Sequence, residues 1–93
     1  MTWQTDILRV KGQPNLCKKQ EALIILMEEC GEVIQEASKI LRFGNDTHNL
    51  TKELGDLQCM INQTATHLEI DSVQIGIHAN EKRDKLKKYS NLL

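Results

Sequence analysis

Apolar and polar residues alternate along this chain with the period of a helix, not of a strand. From residue 15 onward the strongest pattern is Leu23, Leu26, Met27, Cys30, Val33, Ile34, Ala37, Ile40 and Leu41, a broad stripe at three- and four-residue spacing. It predicts one long helix that Asn15 can cap and that runs to Phe43, with Gly44 as its stop. Ile24 and Ile25 fall outside the stripe, so the first half of that helix is apolar nearly all round and calls for enclosure by a second subunit. A polar turn, Asn45-Asp46-Thr47-His48-Asn49, offers several caps for a further helix from about Leu50 to Glu69, whose core face is Leu50, Leu54, Leu57, Ile61, Ala65 and Leu68. Asp71 or Ser72 caps a last helix carrying Val73, Ile75, Ile77 and Leu86. Ahead of all three, residues 2–12 can form a short helix with Trp3, Ile7, Leu8 and Val10 on one side. Gly12-Gln13-Pro14-Asn15 ends it, because proline disfavours helical geometry in the residue before it. The expectation is an all-α, four-helix bundle completed by oligomerisation.

Composition supports that picture and narrows it. Ninety-three residues make a single domain, 1–93, with little room for a private core. The net charge of −1 conceals a gradient: residues 45–80 hold one Lys against five acids, and 81–93 hold five basic residues against two acids. That is no pervasive basic face for duplex nucleic acid, and no nucleic acid is an expected partner. The longest apolar run, Ala22 to Met27, is too short to span a bilayer, and the start of the chain has neither a basic nor an apolar leader region. Cys17, Cys30 and Cys59 lack paired spacing and read as reduced thiols of a cytoplasmic protein, two of them on helices and packed.

The candidate chemistry sits at the border of the two longest stripes. Glu28-Glu29-Cys30-Gly31-Glu32 and Glu53-Leu54-Gly55-Asp56 each place two carboxylates three residues apart, on one helical face about a turn from each other. Two such faces packed together converge four carboxylates, which repel unless a hard divalent cation sits among them. Oxygen ligands of this kind suit Mg²⁺, with Mn²⁺ as a substitute. Gly31 lies inside the first acid pair, where its use would be close approach by a helix or ligand. Zinc chemistry is excluded by the scattering of Cys and His, a di-iron site by the lack of Glu-x-x-His, and a phosphate loop by the lack of a Gly-rich turn.

With those two motifs and the spacer between them, the chain resembles the MazG-like family of all-α nucleoside triphosphate pyrophosphohydrolases. The resemblance implies Mg²⁺-dependent hydrolysis of (deoxy)nucleoside triphosphates to monophosphate and pyrophosphate, a reaction suited to cleansing the nucleotide pool. Glu29, Glu32, Glu53 and Asp56 match the family's metal ligands, and Glu28 matches the first acid of its motif. The catalytic base is Glu28 or Glu32. Lys39 and the cluster Lys82, Arg83 and Lys85 fall where such proteins carry basic residues toward the triphosphate, and Trp3 is a candidate contact for the base. Family members assemble as a homo-dimer or as a tetramer of two dimers, which allows the last helix to reach a partner's pocket. The rival reading is a non-enzymatic helical dimerisation or regulatory module whose acids bind nucleotide or a structural cation.

Overall fold

A computed structural model describes residues 17–93, which form three helices: α1 (Lys18–Phe43), α2 (His48–His67) and α3 (Ser72–Tyr89). The expected helix over residues 2–12, with Trp3, lies outside the described residues, as does Asn15. There are no strands among the described residues, and the fold is all-α.

Each helix begins and ends for a local reason. α1 opens after Cys17, not Asn15, because the Gln20 side-chain oxygen accepts the Cys17 N–H at 3.1 Å. It closes at Gly44, whose φ of 67° is free for glycine alone and lets its N–H reach the Ile40 carbonyl at 2.9 Å. α2 starts two residues earlier than the apolar pattern suggests. Thr47 is its N-cap residue and Asp46 Oδ1 accepts the His48 N–H at 3.0 Å, so the polar turn supplies the first turn of helix.

The end of α2 is the less ordinary one. Helical geometry stops at His67, not Glu69, and Glu69 takes a left-handed φ of 57°. Ile70 N–H then bonds the Ala65 carbonyl at 2.9 Å and Glu69 N–H the Thr66 carbonyl at 3.4 Å, a Schellman closure made without glycine. Two residues on, Asp71 Oδ1 accepts the Val73 N–H at 2.9 Å and starts α3. The turn is fixed from both sides.

α1 and α2 pack along their lengths, and their connection of Gly44 to Thr47 is short enough to make them antiparallel neighbours. Lys18 and Ile25 lie across from His67 and Met60, whereas Glu36 and Ile40 lie across from Asn49 and Leu50. α3 stands largely apart: all its residues but Leu86 are exposed. The radius of gyration is 16.1 Å, where a compact chain of this size would have about 12 Å.

Little is enclosed. Ala22, Ile24 and Thr64 are buried, and Ile25, Leu26, Val33, Ala37 and Ile40 are half-buried against α2. The stripe read from the sequence therefore divides in two. One part faces α2, while Leu23, Met27, Ile34 and Leu41 face outward at exposures of 40, 56, 69 and 88 %. Ile24, which falls outside the stripe, is already buried within the single chain. The two helical cysteines, Cys30 and Cys59, expected to be packed, are exposed in the single chain, as is Cys17. No helix among the described residues is long and apolar enough to cross a membrane.

Candidate metal centre

Helix pairing brings three of the expected acids together. Oxygens of Glu29 on α1 and of Glu53 and Asp56 on α2 all lie within 4.8 Å of one another. The spacing explains it: Glu29 sits at the middle of the face of α1 that meets α2, and Glu53 and Asp56 are one turn apart on the facing helix. Glu29 and Glu53 are half-buried and Asp56 is exposed, so the trio is anchored inside and open to solvent at one edge.

The electrostatics of the trio are unfavourable on their own. Glu29 Oε2 is buried and has no hydrogen-bond partner. Its carboxyl is pushed above the ordinary glutamate range, first by the loss of water around it and then by the negative charges of Asp56, Glu53, Glu32 and Glu28. An orphaned carboxylate oxygen facing two more carboxylates is a donor set that fits a hard cation.

The other expected residues are placed differently. Glu32 is exposed and stands outside the trio, although its charge reaches Glu29. Counting round the helix, it lies about 60° from Glu29, on the same flank as Asp56 but further from α2. Glu28 is exposed and further round still. Lys39 Nζ pairs with Glu36 on its own helix at 3.3 Å, so its ammonium is tied back along α1 instead of standing free. Lys82, Arg83 and Lys85 are exposed on α3, and among the described residues none of them pairs with the acid trio.

Two clefts flank the acids along the α1–α2 groove. One, of about 310 Å³, lies toward the open end of the hairpin and is lined by Lys18, Glu21, Ala22, Ile25, Met60, Gln63 and His67. The other, of about 190 Å³, lies near the loop and is lined by Glu36, Ile40, Asn45, Asp46, Asn49 and Leu50. Ile25 precedes Glu29 by one helical turn and Met60 follows Asp56 by one, so the larger cleft continues directly from the acids. Sequence reading missed this lining. The signal was present as apolar residues at four-residue spacing from the acids, on the same groove.

A helical hairpin that gathers carboxylates from both arms into one trio, open to solvent at Asp56, is a donor set of the kind that can hold a metal ion. The description of the MazG nucleotide pyrophosphohydrolase domain matches residues 18–90, and the chain belongs to that family. The match begins and ends with the helices that carry and flank the trio. No curated protein and no solved structure matches the chain.

Proposed function

We propose that this protein hydrolyses nucleoside triphosphates, ribo- or deoxyribo-, to nucleoside monophosphate and pyrophosphate, with Mg²⁺ as cofactor and Mn²⁺ as substitute. The observation that carries the reading is the orphaned Glu29 oxygen between Glu53 and Asp56. Family membership makes the pyrophosphohydrolase class the natural chemistry for it.

Glu29, Glu53 and Asp56 would hold the cation, and Glu32, one turn along on the same flank, completes the set by swinging inward. A bound divalent cation neutralises phosphate oxygens and polarises the phosphoryl group for attack. Around it, the chain's own residues orient the substrate and water. Ile25 and Met60 offer an apolar floor in the 310 Å³ cleft for the nucleoside, while Gln63 and His67 offer polar contacts at its rim. The α-phosphate then falls beside the acids, since the cleft begins a single turn, about 6 Å, from Glu29 and Asp56. Glu28 or Glu32 takes the proton from the attacking water. The water oxygen bonds the α-phosphorus, the α–β anhydride bond breaks, and pyrophosphate leaves with the bonding pair.

Pyrophosphate release from a panel of nucleoside triphosphates, with and without Mg²⁺, tests this. Turnover should require the cation and should be lost in Glu32→Ala with the helical circular dichroism signal retained. Nucleotide binding without pyrophosphate release under any divalent ion would instead leave a regulatory nucleotide-binding module.

A further inference from the structure

The cleft of about 310 Å³ holds two charges, Lys18 and Glu21, that the reaction does not use. Outward from the acids its lining comes in layers. Ile25 and Met60 lie one turn from Glu29 and Asp56, Ala22 and Gln63 two turns, and Lys18 and His67 three. Glu21 stands at the level of the second layer. In a nucleotide, sugar and base follow the α-phosphate in that order, each about as long as one helical turn. With the α-phosphate at the acids, the sugar lies between Ile25 and Met60 and the base reaches Ala22. That alanine is 4 % exposed and is the smallest side chain of the lining, so the second layer is where a flat ring has room. The edge of the ring then meets Glu21, with Lys18 one turn beyond.

Glu21 is no part of the cation set. It lies two turns from the trio, with Ile25 between, and it does not join the group of three. Counting round α1 it lies about 20° from Glu32, on the flank where the trio opens to solvent. Neither Glu21 nor Lys18 forms an ion pair with another described residue. An ionised carboxylate only accepts hydrogen bonds, and an ammonium only donates them. Set three residues apart on one helix, they suit a base edge with two adjacent donors beside an acceptor. Guanine alone of the common bases has that edge: N1–H and the 2-amino group side by side, and O6 next to them. Cytosine and adenine set one amino donor beside an acceptor nitrogen, which the second carboxylate oxygen repels. Uracil and thymine set one donor between two carbonyls.

We propose that Glu21 sets the base preference of this cleft, accepting both guanine donors while Lys18 donates to O6, and that the substrate is a guanine nucleoside triphosphate. This rests on the nucleotide reading of the cleft given above, but its test does not need turnover. Inosine nucleotides differ from guanine nucleotides only in lacking the 2-amino group. In the full-length protein with Mg²⁺, calorimetric titration should show GMP binding at least about tenfold more tightly than IMP, the scale of one bidentate base contact. Glu21→Gln should bring the two within about twofold, because its amide sets a donor against a donor, and Glu21→Asp should keep part of the preference. Lys18→Met should weaken GMP and IMP alike, since both carry O6. A merely structural role for Glu21 would also weaken both alike and leave their ratio unchanged. Equal binding of GMP and IMP to the unsubstituted protein, or a ratio unmoved in Glu21→Gln, overturns the proposal. The expected ratios without pyrophosphate release from GTP would remove the hydrolytic reading and leave the base assignment standing.

Discussion

The two flanks of the α1–α2 hairpin are incomplete in opposite ways. On one, Glu29, Glu53 and Asp56 hold like charges within 4.8 Å and leave a buried oxygen without a partner. On the other, hydrocarbon from Leu23 to Leu41 and from Leu54 to Ile61 stands in water. The first defect is local, electrostatic and set by three residues, so one small cation can relieve it. The second is spread over two helices and carries no charge, so only a large apolar surface relieves it. One scaffold thus has one side defined by gathered charge and another defined by exposed hydrocarbon.

The largest effect expected from the chemical side is in Asp56→Ala. It should lower pyrophosphate release by about a hundred- to a thousandfold, the scale of losing an electrostatic stabiliser of the reaction, while far-UV circular dichroism stays unchanged. A variant that lost its helical signal along with turnover would erase the distinction between the flanks.

Glu29→Gln separates stability from function. Removing the repelled charge should raise the melting temperature of the metal-free protein by several degrees, of the order of 1 kcal/mol, and abolish stabilisation by Mg²⁺. The pH dependence follows. Glu29 keeps its proton to higher pH in the fold than in the unfolded chain, whose ordinary value is 4.5. Its contribution to metal-free stability is therefore fully present below that value and is lost as pH rises through the folded pKa. The melting-temperature advantage of Glu29→Gln should be small in acid and widen across that window.

Two smaller changes touch neither flank and serve as controls. Thr64 Oγ1 is buried between the helices without a partner, so Thr64→Val should stabilise by about 1 kcal/mol in thermal melts. Glu69→Gly relieves a left-handed residue, worth roughly 1–2 kcal/mol, against about 1 kcal/mol of extra backbone entropy. Chemical denaturation should show a net gain of about 0.5 kcal/mol.

Much of this was legible from residue types and spacing. Glycine at 44 and aspartate at 71 mark boundaries because their effects are local, acting through one φ angle and one side-chain hydrogen bond. The acid trio was legible because two short motifs at helical spacing can converge once their helices pair. Cys17 as N-cap and the left-handed Glu69 were not legible, since neither residue type prefers its position and hydrogen bonds several residues away decide it.

Periodicity by itself determined that α1 and α2 are helices with apolar stripes bordered by acids, because a side chain's place around a helix depends only on its number. Only the tertiary structure decided how the stripe of α1 divides, with Val33 and Ile40 against α2 and Met27, Ile34 and Leu41 in water. It also decided that Glu29 joins the trio while Glu32 stands at its edge. One helix can present only one direction to its neighbour, and that direction is set by packing between the two surfaces, which neither strip of sequence contains alone.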